Sequence, residues 1–220
     1  MNRNRIAIPI VAAAALALAG CSGKADVPYT RGVYMLLDTS GTYTDELKKA
    51  QVIINYTLAK LNPGDTFAVA RVDTGSFTEK NIIAKITFDD RPSVANTQKL
   101  KFRDEIDRFV KGVKPSAYTD ISGGMLQAIE FLNEAHVGRK TILIFSDMKE
   151  DLKKGYVRDI PLQLNGFDVV ALNVTKLRSD NIDPREYLDR LAMWQSRVEA
   201  GEGHWRVIND LERLEPVLGD

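Results

Sequence analysis

Three apolar runs read as strands that lack the in-out alternation of a sheet with one wet face. They are Val33-Tyr34-Met35-Leu36-Leu37, Thr141-Ile142-Leu143-Ile144-Phe145, and the stretch from Phe167 to Val174 around Val169-Val170-Ala171-Leu172. A strand that is apolar at consecutive positions must be covered on both faces. Segments with helical spacing lie between the runs. From Asp45 to Leu61, the residues Leu47, Ala50, Ile54, Leu58 and Leu61 mark one apolar face. Strands alternating with helices predict an α/β fold, a doubly wound and mostly parallel sheet with helices on both faces.

The remaining elements follow in order. Asn62-Pro63-Gly64-Asp65 breaks the first helix, and Phe67 to Val72 is the next strand. Ile82 to Phe88 alternates, which predicts the one antiparallel edge strand with a wet face. Phe102, Ile106, Phe109 and Val113 predict a helix over 97–113. Met125, Ile129 and Leu132 predict another from Asp120. The segment from Asp147 to Leu164 has no clear period. Asp183-Pro184 opens the last long helix, with Tyr187, Leu191, Trp194 and Val198 facing inward. His204 to Ile208 predicts a closing strand, and Leu211 to Leu218 a short terminal helix. Trp194 is expected in the core and Trp205 packed at its strand. Thr42 with Asp45 has capping-box spacing.

The N-terminus stands apart from this pattern. Arg3 and Arg5 precede an apolar stretch from Ile6 to Gly20, too short for a comfortable membrane span and fitting a secretory signal. Leu18-Ala19-Gly20-Cys21 resembles a bacterial lipobox, which implies cleavage before Cys21 and lipidation of that cysteine. Ser22 rather than Asp follows, which by the same resemblance favours the outer membrane over the inner. The chain is thus divided into a signal over 1–20, a lipidated cysteine and tether over 21–30, and one domain over 31–220. The expected location is the bacterial cell envelope, lipid-anchored and facing the periplasm.

Of the 220 residues, 30 are basic and 30 acidic, so no basic field argues for nucleic acid. Removal of 1–20 takes away Arg3 and Arg5, leaving 28 basic and 30 acidic side chains. Cys21 is the single cysteine, so the mature body forms no internal disulfide. His136 and His204 have no partner at metal-ligand or triad spacing.

The chemistry concentrates at strand ends. Asp38-Thr39-Ser40-Gly41-Thr42 follows the first apolar run, Thr119-Asp120 opens a helix, and Ser146-Asp147 closes the run that starts at Thr141. Ligands of open α/β sheets bind beyond the carboxyl ends of the strands. The set is made of hard oxygens with no His or Cys, which suits Mg²⁺ or a similar cation rather than zinc.

These residues resemble the von Willebrand factor A (VWA) domain, from about Arg31 to Leu214. That family's metal-ion-dependent adhesion site uses Asp-x-Ser-x-Ser, a later Thr and a later Asp. By resemblance these are Asp38, Ser40, Thr42, Thr119 and Asp147, in flanks such as Gly64-Asp65-Thr66-Phe67-Ala68-Val69 and Arg139-Lys140-Thr141-Ile142-Leu143-Ile144-Phe145-Ser146-Asp147. The resemblance implies Mg²⁺ or Mn²⁺ as cofactor, a protein partner presenting Asp or Glu and no catalysis, while the lipobox implies membrane attachment through Cys21. Thr42 replaces the second Ser but keeps the hydroxyl. Met148 stands where the family often has Gly, and Ala117-Tyr118 where small residues are common.

Three rival readings are weaker. A haloacid-dehalogenase-type phosphatase needs Asp at position 40 as its proton carrier, and Ser40 stands there. A lipid-anchored solute-binding protein needs two lobes and more chain. A VWA fold without a working metal site would bind through another face. The acidic residues Asp147, Glu150 and Asp151 read equally as a site rim or a solvated turn.

Overall fold

The computed structural model describes residues 29–218 except 42, 44, 45 and 178. The signal and lipobox expectations, and the capping-box pair Thr42 and Asp45, lie outside the described residues. A six-stranded sheet forms the middle layer, in the order β3-β2-β1-β4-β5-β6. Its strands are β1 (Arg31–Asp38), β2 (Thr66–Val72), β3 (Ile82–Thr87), β4 (Arg139–Phe145), β5 (Phe167–Leu172) and β6 (His204–Ile208). All neighbours run parallel except β2 and β3. β3 is the antiparallel edge strand that its alternation predicts.

Helices α1 (Leu47–Lys60) and α2 (Pro92–Gly112) cover one face. Leu47, Ala50, Ile54, Phe102 and Ile106 pack there on Val33, Met35, Leu37, Phe67 and Val69. The terminal helix α5 (Glu215–Leu218) joins the same layer through Val217 and Leu218. Helices α3 (Ile121–Glu134) and α4 (Pro184–Ala200) cover the other face. Met125, Leu132, Trp194 and Val198 pack there on Tyr34, Leu36, Ile142, Ile144 and Ala171. Successive residues of β1 thus enter opposite cores, which is why its sequence shows no alternation.

Two element boundaries differ from the sequence expectation. α2 starts five residues before Thr97, with Pro92 in its first turn, where the missing amide costs nothing. β5 stops at Leu172 because Asn173 turns the chain with a φ of 52°. The irregular segment from 146 to 166 is the crossover from β4 to β5, and no helix forms within it.

The topology fixes where a site forms. From β1 the sheet extends to β2 on one side and to β4 on the other. The carboxyl ends of β1 and β4 therefore flank the point where strand order reverses, which is where open α/β sheets place their ligands.

Candidate functional site

Asp38 is the last residue of β1 and is 1% exposed. Its Oδ1 accepts from the Ser40 amide at 2.8 Å, and its Oδ2 accepts from Ser146 Oγ at 2.6 Å. Ser146 follows β4, so this hydrogen bond ties the two strand ends together. Ser146 Oγ also accepts the Met148 amide at 2.9 Å, while Asp147 Oδ1 accepts the Lys149 amide at 2.8 Å. The turn after β4 thus points Asp147 toward Asp38, and Asp147 is 4% exposed.

Ser40 pairs with Ser116 in an isolated parallel bridge, and the Ser116 amide donates to Thr39 O at 2.7 Å. The loop before α3 is thereby drawn against the loop after β1. Three residues on, Thr119 exchanges backbone hydrogen bonds with Asp151 at 2.8 and 3.0 Å. That bridge fastens Thr119, 5% exposed, to the segment beyond Asp147. Four of the five predicted residues, Asp38, Ser40, Thr119 and Asp147, therefore lie on three loops that are hydrogen-bonded to one another. Thr42 lies outside the described residues.

The electrostatics separate this pair of acids from its neighbours. Burial pushes the Asp38 carboxyl above the usual carboxylate range, against the hydrogen bonds from Ser146 and Ser40 that lower it. Burial likewise raises Asp147, and the charge of Asp38 adds to the rise. Arginines neutralise two nearby buried acids, Asp120 by Arg158 at 2.7 Å and Asp180 by Arg190 at 2.8 Å. Asp38 and Asp147 have no such direct ion pair among the described residues. Arg190 and Lys149 oppose the rise at Asp147 without a direct ion pair, and two buried carboxylates close enough to raise one another are costly unless a proton or a cation joins them.

The donor set fits a hard cation by its chemistry. Among the described residues no three His, Cys, Asp or Glu side chains gather to hold a metal. The set is two acids supplemented by hydroxyls. Such a set leaves part of the ion's charge uncancelled, as Mg²⁺ sites that keep waters and bind a partner oxygen require.

Several supporting residues were not visible in the sequence. Arg190 Nε donates to Asp147 O at 3.0 Å while its guanidinium pairs with Asp180. Trp194 Nε1 donates to Met148 O at 2.8 Å. α4 thus holds the turn that carries Asp147. Glu150 is not a freely solvated turn residue: its carboxylate accepts from the Ser122 amide at 2.6 Å and from Ser122 Oγ at 3.0 Å. Tyr43 donates to Asn173 O, and burial raises its hydroxyl far above the ordinary value. No local spacing signals pairs so distant in the chain.

The sheet order, the single antiparallel edge strand and the β1–β4 switch point define a VWA-type fold. Solved structures that share it include two adhesion-type or VWA chains of greater length. One is a von Willebrand factor type A protein from Catenulispora acidiphila, with TM-score 0.54 and 15% identity over 87% of this chain and 41% of that one. The other is the pilus adhesin SpaC from Lactobacillus rhamnosus GG, with TM-score 0.56 and 12% identity over 88% of this chain and 29% of that one. The chain therefore spans less than half the length of either. No protein-family profile matches the sequence. No curated protein matches it either.

Proposed function

We propose that this chain is a protein-interaction module of the bacterial cell envelope. In this reading it captures an acidic side chain of a partner protein through a divalent cation. Asp38, Ser40, Thr42, Thr119 and Asp147 would hold Mg²⁺ or Mn²⁺. The cation supplies a Lewis-acidic position for a partner carboxylate. The chain's own residues orient that position, and Ser146 and Arg190 fix the two acids. The observation that carries the reading is the buried pair Asp38 and Asp147, which has no direct ion pair among the described residues. A neighbour of the same fold is a pilus adhesin, which supports an interaction role.

The anchor belongs to the same proposal. Cys21 would carry lipid after signal removal, and the domain would face the periplasm, with the outer membrane favoured. Among the described residues no helix is long and apolar enough to cross a membrane. Cys21→Ser would then release the protein from the membrane fraction. The chain is read as a binding protein and not an enzyme, because Ser40 provides no proton carrier beside Asp38. A phosphatase assay checks that exclusion.

The deciding experiment is thermal melting of the full chain with Mg²⁺, Mn²⁺ or EDTA. A cation that binds only the native state raises the melting temperature by mass action. Asp38→Ala abolishes the rise and Thr42→Ser retains it, since the hydroxyl survives. Melting that ignores millimolar cation and chelator alike would mean a VWA fold that binds through another surface.

A further inference from the structure

A second polar groove, lined by other residues, lies where the edge hairpin of β2 and β3 meets the C-terminal part of α2. Its volume is about 610 Å³, and Arg71, Lys80, Asn81, Glu105, Arg108 and Phe109 are among its lining residues. Arg71 comes from β2, Lys80 and Asn81 from the 3₁₀ turn at Glu79–Asn81, and Arg108 from α2. Three cations thus approach one space from three different elements.

Asn81 supplies an independent observation. It is 7% exposed, and its Oδ1 accepts from Arg71 Nε at 3.4 Å. Its Nδ2 has no hydrogen-bond partner. The hydrogen bond from Arg71 fixes which end of the amide is the donor, because a guanidinium has no lone pair to offer. A buried donor left unpaired is rare and calls for an acceptor. The cations are not all spoken for either. Arg71 pairs with Asp73 at 2.8 Å and remains 37% exposed along its side chain. Lys80 and Arg108 form no ion pair among the described residues, and Arg108 only reaches back to Asp104 O.

From this arrangement we propose that the groove binds a phosphate-type oxyanion, free or as a small phosphomonoester. A planar carboxylate is best met by one guanidinium fork, whereas the cations here are spread over three elements. Donors arriving from a strand, a turn and a helix instead match oxygens that diverge in several directions, as on a tetrahedral phosphate. Lys80 gives a mobile point charge and Arg108 a second guanidinium, while Asn81 Nδ2 is a buried unpaired donor behind the lining. Glu105 adds one acceptor to the lining, which suits a phosphate carrying a proton or a nearby hydroxyl. The site uses none of the residues assigned to the cation, so its fate does not depend on that assignment.

The test is calorimetric titration of the full chain with inorganic phosphate, glycerol phosphate and acetate. The expected result is saturable binding of either phosphate, tighter than acetate, and weakened at least about tenfold in Lys80→Gln/Arg108→Gln. Both substitutions are on the surface, so folding is preserved and is checked by melting. Asn81→Asp, which turns the donor into an anion, abolishes binding in a protein that still melts cooperatively. Saturation by inorganic phosphate alone indicates the free ion as ligand, and preference for glycerol phosphate indicates an ester; both support the site. Absence of saturation, equal affinity for acetate, or phosphate affinity unchanged in the double variant would overturn it.

Discussion

Met148 holds a φ of 63°, in the left-handed region that a residue with a Cβ enters at a cost of about 1–2 kcal/mol. The turn requires that conformation, because it lets Ser146 Oγ accept the Met148 amide while Met148 O accepts from Trp194. A glycine would remove the strain, but the Met148 side chain is fully buried among the residues on α3 and α4. Truncating a buried Met costs about 2–5 kcal/mol, more than the strain it would relieve. Met148→Gly should therefore destabilise by about 1–3 kcal/mol in urea unfolding; a more stable variant would mean that strain outweighs packing. The acids beside it make the opposite kind of compromise. Asp38 and Asp147 titrate above the usual carboxylate range, so the native state holds their protons more tightly than the unfolded chain does. Stability without metal is then full below the unfolded carboxylate pKa and falls as pH rises from about 4 through the raised values. Asp38→Asn removes one charge, keeps an acceptor for the Ser40 amide, and reverses the hydrogen bond to Ser146 Oγ, since the amide nitrogen can only donate. In EDTA its melting should be higher than that of the wild type at neutral pH and flatter between about pH 4 and 7, with no response to Mg²⁺. A variant that melts lower than wild type at neutral pH in EDTA would show that the paired acids do not oppose folding.

Elements differ in how far their own sequence specifies them. β1, β4 and β5 were legible because two helical layers demand apolar residues at consecutive positions, and the strand cores around Leu36, Ile144 and Val170 satisfy both layers. α4 was legible at its start, where the Asp183 side chain accepts the Arg185 amide at 3.1 Å ahead of Pro184. The beginning of α2 was missed because its buried face is sparse before Phe102, with only Ala95 fully inward. The crossover from 146 to 166 was illegible for a different reason. It is held by groups from elsewhere: Arg190 and Trp194 reach from α4, Ser122 binds Glu150 from the start of α3, and Asp120 receives the crossover's own Arg158. The same difference limits the site. Asp38, Ser40 and Asp147 follow readable strands, whereas the groups that aim them act across long stretches of chain. Arg190 is the clearest of these, since its partner Asp180 is fully buried. Breaking a buried pair from one side leaves an uncompensated charge and costs about 3–5 kcal/mol. Arg190→Met should lose about that much stability, and adding Asp180→Leu should recover most of it. Neither variant restores the hydrogen bond to Asp147 O, so both should show a weaker melting response to Mg²⁺ than wild type. Full recovery of the metal response in the double variant would show that Arg190 serves stability alone.

At the scale of the whole molecule, the described chain enters and leaves the fold at one edge, and the proposed cation site lies at the other. Arg31 starts β1 beside Arg139 at the start of β4, seven residues before Asp38 closes the strand. The Arg31 guanidinium pairs with Asp65 at 2.9 Å and donates to Leu218 O at 2.6 Å, so the end of the described chain is fastened to that same edge. Asp65 precedes β2, and its carboxylate also accepts the Arg31 amide at 2.8 Å. With lipid on Cys21, the ten residues from Cys21 to Thr30 extend at most about 33–36 Å, so the domain stays near its bilayer. On the proposed reading the bilayer would attach at the Arg31 edge, and the proposed cation site would be biased to face away from it, toward partners across the periplasmic space. Spin labels placed one at a time at Asn62, beside the Arg31 edge, and at Lys149, beside Asp147, report it in lipidated protein on vesicles. The label at Asn62 should be the more strongly broadened by a lipid-soluble relaxation agent. Stronger broadening at Lys149 would mean that the proposed site meets the membrane, and that the partner is to be sought on the anchoring surface itself.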